Sequence, residues 1–406
     1  MAVGLNPPEQ LEPVDGVRVG SSELGNRASP RDDLTVIELA EGSRVAAVFT
    51  QNAFRAAPVT VAAEHLREGS PAYLLINAGN ANAGTGACGI TDAKACCDAV
   101  AARTGCDPRA VLPFSTGVVG ERMDPQPFPA AIERAVDGLR DNGWLRAARA
   151  IMTTDTVAKG MSAKFSCDEG TCTVTGVAKG SGMIRPDMAT MLAFVATDAL
   201  VDQSVLDECL RRAVDASFNR ITVDGDTSTN DACVLMATGK SRAAAVDSLE
   251  SAAGEALAGA VESVCRHLAQ AIVRDGEGAT KFIEVNVIGG ASEAECLTVA
   301  YTVAQSPLVK TAMFASDPNW GRLLAAVGRA GLRDLDLAGV GIDIGDVRVA
   351  DGGALASGYR EEDGKRVMAA ENITVRVHLG RGGHQASVWT CDLSHQYVTI
   401  NAEYRT

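Results

Sequence analysis

The stretch best equipped for chemistry is VAKGSGMIRPDMATMLAFVATDA, residues 177–199. A strand-like run, CTVTGVA, leads into it, and Gly180, Gly182 and Pro186 then interrupt any ladder or helix. A second strand-like run, TMLAFVATDA, begins at Thr190. A threonine hydroxyl is a weak nucleophile unless a base lies beside it. If the bond before it is cut, its own α-amine becomes that base, and such an amine titrates near ~7.7–8.0 when unperturbed. The small Ala189 leaves the carbonyl of that bond open to attack by the Thr190 hydroxyl. On spacing alone the plainer reading, a β-branched residue opening a strand, is the stronger one.

A second constellation bears on the first. In LPFSTGVVGERM (residues 112–123), Ser115, Thr116 and Gly117 are expected at a turn, with Gly120 close behind. A glycine turn lets backbone N–H groups point into a cavity, and the Thr116 hydroxyl adds a donor, which together meet the needs of an oxyanion hole.

These residues need elements to hold them. Strands are expected at Leu34–Leu39, Val45–Phe49 and Ala72–Ile76, the last running into the Gly/Asn-rich loop NAGNANAGTGACG. Helices are expected at Thr91–Arg103, Pro127–Leu139, Val205–Phe218 and Leu249–Arg274. In the last of these Leu257, Val261, Val264, Leu268 and Ile272 recur at helical spacing up to Asp275-Gly276. In KFIEVNVIGG and NITVRVHLG, Ile283, Val285, Val287 and Ile373, Val375, Val377 alternate with polar residues, so each strand has one wet face. VTI near the C-terminus is also strand-like, and residues 1–30, rich in Pro, Gly and Glu, are expected at the surface. Interleaved helices and strands make the class α/β or α+β.

Composition narrows the functions. A net charge of -14 without a basic stripe argues against a nucleic-acid partner. Apolar runs are broken by charge before the ~20 residues a membrane helix needs, and the N-terminus lacks an export signal. The eleven cysteines are scattered and contain no C-x-x-C, so we read them as reduced thiols of a cytoplasmic protein. The five histidines have no zinc spacing, and in ITVDGDTSTND the twelfth position from Asp224 is Leu235 where a calcium loop needs Glu, so no metal is expected.

NAGNANAGTG, FSTGVVGERM, IMTTDT, KGSGMIRPDMATML, ITVDGDTSTND, RDGEGATKF, SPLVKTAMFASDPNWGRLLAAVGRAG and DLSHQYVTINAEYRT run nearly end to end, and on them the chain resembles the ornithine acetyltransferase (ArgJ) family of arginine biosynthesis. The resemblance implies a self-processing N-terminal-nucleophile fold with sheets sandwiched by helices, in two lobes. It implies a cut between Ala189 and Thr190, giving an α chain, 1–189, and a β chain, 190–406, assembled as an α2β2 heterotetramer. Thr190 would take acetyl from N-acetylornithine and pass it to glutamate, with no cofactor. The oxyanion donors map onto Thr116 and Gly117, and the substrate contacts onto Thr153, Lys179, Thr190, Glu277, Asn401 and Thr406. Thr153 is matched with Thr154 as its neighbouring alternative. The family divides on whether acetyl-CoA also serves as acetyl donor.

Physical roles can be set beside that transfer. A substrate with a carboxylate and a free amine needs a cation and an anion, which Lys179 and Glu277 would supply, though either alone is commonly a surface charge. Asn401 and Thr406 lie at a terminus that would have to be pinned. A Thr ester splits the reaction into two similar acyl transfers, so ping-pong kinetics are expected. Three rivals stand beside this reading. A self-processing aminopeptidase or amidase would share Thr190 and differ in using water as acceptor. GTGACG (Gly84, Gly86, Gly89) formally matches a dinucleotide fingerprint, but NAGNANA separates it from the strand end. A non-enzymatic binding role would leave Thr190 dispensable.

Overall fold

The computed structural model describes residues 2–25, 31–167, 170–185, 191–241, 243 and 245–403. The chain forms two compact units, one of residues 7–219 and 226–272, the other of residues 1–6, 220–225 and 273–406.

The first unit opens with β1 (Val17–Ser22), β2 (Leu34–Leu39), β3 (Arg44–Phe49), α1 (Ala57–Glu68), β4 (Tyr73–Asn80), α2 (Gly86–Thr104) and β5 (Val111–Val118). Next come α3 (Phe128–Asp137), α4 (Trp144–Ala150), β6 (Lys159–Cys167), β7 (Gly170–Lys179) and β8 (Leu192–Thr197). It closes with α5 (Gln203–Ala216), β9 (Ala232–Ala237) and α6 (Ala252–Arg274), whose last two residues fall with the other unit. Two sheets result, in the orders β1-β2-β4-β5 and β3-β9-β8-β7-β6.

The sheets stack face to face. Ile37, Leu74, Ile76, Leu112 and Phe114 from the first share one buried cluster with Val177, Leu192, Phe194, Val234 and Met236 from the second. Phe114 meets Phe194 edge to face, ring centroids 5.1 Å apart, a preferred aromatic geometry. The outer faces carry helices. Val100, Phe128 and Ile132 of α2 and α3 pack on Leu34, Val36 and Leu75, while Val264 and Leu268 of α6 press so closely on β7 that a Cβ at Gly176 would clash with them. The unit is therefore helix, sheet, sheet, helix in section.

The second unit holds β10 (Phe282–Gly290), α7 (Glu293–Ala304), α8 (Pro307–Phe314), α9 (Trp320–Gly328), β11 (Gly341–Ile344), β12 (Val347–Asp351) and β13 (Ala354–Leu355). It ends with α10 (Glu361–Met368), β14 (Asn372–His378), β15 (His384–Cys391) and α11 (His395–Glu403). Its sheet runs β13-β12-β11-β14-β10-β15. The alternation read from KFIEVNVIGG and NITVRVHLG is present: Ile283, Val285, Val287, Ile373, Val375 and Val377 are buried with Val299, Val303 and Leu323 from the helices.

Three expectations are corrected. Part of the first thirty residues is core, because β1 pairs antiparallel with β2 and buries Val17 and Val19. VTI is helical, inside α11. Ser115, Thr116 and Gly117 lie on β5 rather than on a turn, paired with Asn77, Ala78 and Gly79 of β4. Gly117 and Gly79 face each other at φ +132° and +147°, and a Cβ on Gly117 would sit 2.2 Å from the Gly79 carbonyl carbon. The glycines thus carry the strands to their end at a separation no side chain permits. All eleven cysteines are free thiols. Among the described residues no helix is long and apolar enough to cross a membrane.

Candidate active site

β7 and β8 are antiparallel neighbours, with Lys179 opposite Leu192, and the chain between them is the KGSGMIRPDMAT loop. Its first residues, 180–185, are irregular as expected from their composition. Ala189 and Thr190, the expected bond and nucleophile, lie outside the described residues, as does Thr406. Described chain resumes at Met191, whose carbonyl accepts from Ala232 N–H of β9 at 2.9 Å.

Lys179 and Thr116 come together. Lys179 Nζ donates to Thr116 Oγ1 at 2.9 Å, joining the last residue of β7 to the strand that carries the expected oxyanion donors. Lys179 alternates with Val177, which lies in the cluster between the sheets, as Thr116 alternates with Phe114. Both polar groups therefore stand at the end of the inter-sheet core. The Lys179 ammonium, assigned from sequence to a substrate carboxylate, already serves Thr116 with one of its three donors.

The loop carrying Thr153 is held by a group that sequence reasoning passed over. Asp155 accepts from Thr153 N–H at 2.9 Å, from Gly180 N–H at 2.8 Å and from Lys159 Nζ at 2.5 Å. Both side chains of the Asp155–Lys159 pair are fully buried. Burial alone would raise the Asp155 carboxyl, but the Lys159 and Lys179 charges and the Gly180 N–H outweigh it and hold the carboxyl below its usual range. Thr154 Oγ1 is engaged with Ser181 Oγ at 2.6 Å, whereas the Thr153 hydroxyl has no protein partner among the described residues. Of the two neighbouring threonines, Thr154 is thus the one whose hydroxyl is engaged within the protein.

Two more polar groups close the cluster. Buried Asn230 donates through Nδ2 to Ser115 O at 2.9 Å and Ala81 O at 2.6 Å, tying the start of β9 to β5 across the sheets. Asp231 beside it is buried, and its Oδ2 has no partner among the described residues. Burial pushes its carboxyl well up, against the opposing pull of Ser228 and Lys179. The sequence signals for these residues were the i,i+4 spacing of Asp155 and Lys159 and the TSTND block, and neither points to a site without tertiary contacts.

In the second unit the expected substrate contacts Glu277 and Asn401 also meet. Glu277 lies between α6 and β10 and is buried. Asn401 Nδ2 donates to Glu277 Oε2 at 2.7 Å and to Tyr397 O at 3.0 Å. The helical form of the C-terminal segment makes this contact, since α11 carries Asn401 one turn beyond Tyr397. His395 stacks edge-on against Phe314 at 5.6 Å.

The remaining candidates are structural. Asn82 Nδ2 donates to Gly89 O at 2.9 Å, and a Cβ at Gly89 would strike Thr85, so the loop's own side chains fill the start of α2. Asn319 caps α9 by accepting from Arg322 N–H, which accounts for the SDPNWGR turn.

The first unit is a helix-sheet-sheet-helix α/β unit with a lysine-bound threonine at the end of its inter-sheet core. A family model, "ArgJ family", matches residues 18–406, and the chain belongs to the ArgJ family of arginine biosynthesis enzymes. It is 54% identical over 406 residues to "Arginine biosynthesis bifunctional protein ArgJ" of Pseudomonas syringae pv. tomato, covering all of both chains. It is 56% identical over 397 residues to the protein of the same name from Methylococcus capsulatus, covering 98% of this chain and 97% of that one. Among solved structures it resembles the Bacillus halodurans bifunctional protein ArgJ, with 39% identity and a TM-score of 0.50, over 52% of this chain and 98% of that one.

Proposed function

We propose that the chain cuts itself between Ala189 and Thr190. The freed threonine then carries acetyl from N-acetyl-L-ornithine to L-glutamate through an acetyl-Thr190 ester, giving L-ornithine and N-acetyl-L-glutamate. The observation that carries this reading is the Lys179–Thr116 hydrogen bond, which places a charge-supported hydroxyl on the strand end carrying Gly117. Thr116 Oγ–H and Gly117 N–H serve as the oxyanion donors, and the α-amine of Thr190 as the base. Thr153, Lys179, Glu277, Asn401 and Thr406 bind the amino-acid substrates, the buried Glu277 supplying the anion for a free amine.

Two further observations support a divided chain. The loop to be cut joins adjacent strands of one sheet, so the fragments 1–189 and 190–406 would stay joined by a β-ladder. The Bacillus halodurans chain, almost wholly covered, corresponds to 52% of this one, about the share of residues 190–406. The word bifunctional in the relatives' name favours acetyl-CoA as a second acetyl donor. We place the enzyme in the cytoplasm as an α2β2 heterotetramer that needs no cofactor.

Intact mass of wild type beside Thr190→Ala tests the cut. Two fragments meeting at Ala189/Thr190, with the variant whole, are expected, and a wild type that stays whole refutes the nucleophile. Release of ornithine from N-acetylornithine that depends on glutamate is expected of the transferase. Equal release in water alone makes the enzyme an amidase.

A further inference from the structure

The Asp155 side chain is fully buried, and its contact with Gly180 leads toward the oxyanion donors. Its carboxylate fixes the N–H of Gly180, the residue after Lys179, and the N–H of Thr153. Its own charge is met by Lys159 within the same burial. A buried ion pair is weak evidence for stability, since an apolar pair of like volume often does as well. An explanation in positioning therefore merits a test.

The geometry supplies one. An ammonium has donors only, so in the Lys179–Thr116 contact the direction is fixed and Thr116 Oγ1 accepts. The single Thr116 proton is then turned away from Lys179. A hydroxyl that accepts a charge-assisted bond is polarised and donates more strongly in turn. The position of the Lys179 ammonium thus controls both the direction and the strength of the Thr116 donor. We propose that Asp155, through its hold on Gly180 and its charge beside Lys179, is a positioning residue that keeps this ammonium on the Thr116 hydroxyl. The proposal rests on the reading that Thr190 attacks across this oxyanion hole.

A double-mutant cycle tests it. The first perturbation is Asp155→Asn with Lys159→Met, which neutralises the pair without stranding a charge, and the second is Thr116→Val. Thr116→Val is expected to lower kcat ~10²–10³-fold. The neutralised pair is expected to lower kcat about tenfold, with KM for both substrates within about twofold. Adding the neutralised pair to Thr116→Val is expected to cost nothing more, because Asp155 acts only through that hydroxyl. Multiplying losses, or an unchanged kcat in the neutralised pair, overturn the proposal.

If the neutralised pair does not fold, Asp155→Glu, which keeps the charge and displaces it, enters the same cycle with the same expected outcome. If Thr116→Val leaves uncut chain, the cycle is read on the first-order rate of cutting, in which the Thr116 hydroxyl is expected to act as the same donor. Intact mass separates the two levels. A wild type uncut at Ala189/Thr190 removes the reading and the proposal with it, whereas a cut wild type with multiplying losses removes the proposal alone.

Discussion

Lys159→Met should destabilise the first unit strongly at neutral pH and much less in acid. The side chains of Lys159 and Asp155 are both fully buried and 2.5 Å apart at their charged atoms. Removing one member of a buried pair typically costs ~3–5 kcal/mol, because the other charge is left in low dielectric. Two backbone donors, Thr153 N–H and Gly180 N–H, remain on Asp155, so the low end, about 3 kcal/mol, is the appropriate figure.

The sign with pH follows from the same contacts. In wild type, burial raises the Asp155 carboxyl while Lys159 and Lys179 lower it further, so it stays below the ordinary range. The pair's contribution is then fully present above the unfolded carboxyl's pKa and fades only as pH falls through the folded value. Without Lys159, burial is opposed only by Lys179 and the two N–H groups, and the carboxyl rises. The variant then escapes its penalty by taking up a proton as pH falls. The gap between the proteins should therefore be widest near neutrality and shrink by up to about 1.4 kcal/mol per pH unit once the variant protonates. Urea unfolding between about pH 4.5 and 7.5, followed by fluorescence of buried Trp144 with Trp320 and Trp389 replaced by Phe, reads the first unit alone. A gap below about 1 kcal/mol at neutral pH, or one that does not change with pH, refutes the buried-pair argument.

Gly117→Ala should cost stability as well as activity, because its Cβ would lie 2.2 Å from the Gly79 carbonyl carbon at φ +132°. Overpacking adds about 1–3 kcal/mol, and a urea midpoint matching wild type would show that the strand end can yield. Asn401→Asp replaces the donor to Glu277 Oε2 with a second anion, so KM for the acetylated donor should rise about tenfold or more, while Asn401→Ser keeps a hydroxyl donor and loses less. Steady-state kinetics at fixed glutamate decide it, and an unchanged KM for Asn401→Asp separates the pair from substrate binding.

Much of the fold was legible because burial imposes a period. Leu34–Leu39 coincides with β2, and the alternation of Ile283, Val285 and Val287 identifies β10 because one face of that strand packs on helices. β1 was hidden because Pro, Gly and Glu surround a strand whose own residues, VRVGSS, are mostly small or polar. β6, KGMSAKFSC, has little alternation to read because it is an edge strand of its sheet. The β-branched VTI suggested a strand, yet α11 there joins Asn401 to Glu277, so tertiary contact overrides propensity. Within the site, Lys179 and Thr116 could be chosen as residues, but their contact joins strands of different sheets and leaves no spacing to read. Asp155 lies in IMTTDT beside the threonines that the resemblance singles out, and nothing local to a carboxylate tells that it will be buried.

The place of the expected cut explains how a chain divided near its middle could remain one enzyme. A boundary at 189/190 is not a boundary between the compact units, since it falls inside the first, between two neighbouring strands of one sheet. β7 would belong to one fragment, with β8 and β9 in the other, and the register from Val174 opposite Thr197 to Lys179 opposite Leu192 would bridge them. Phe114 against Phe194 would add an aromatic contact between fragments in the core. Cutting the loop removes one covalent link and leaves these contacts in place. The new amine would belong to the residue before Met191, whose carbonyl accepts from Ala232 N–H. Cut there, the chain would keep β8 between its two neighbours, with Leu192 opposite Lys179 of β7 and Ala232 of β9.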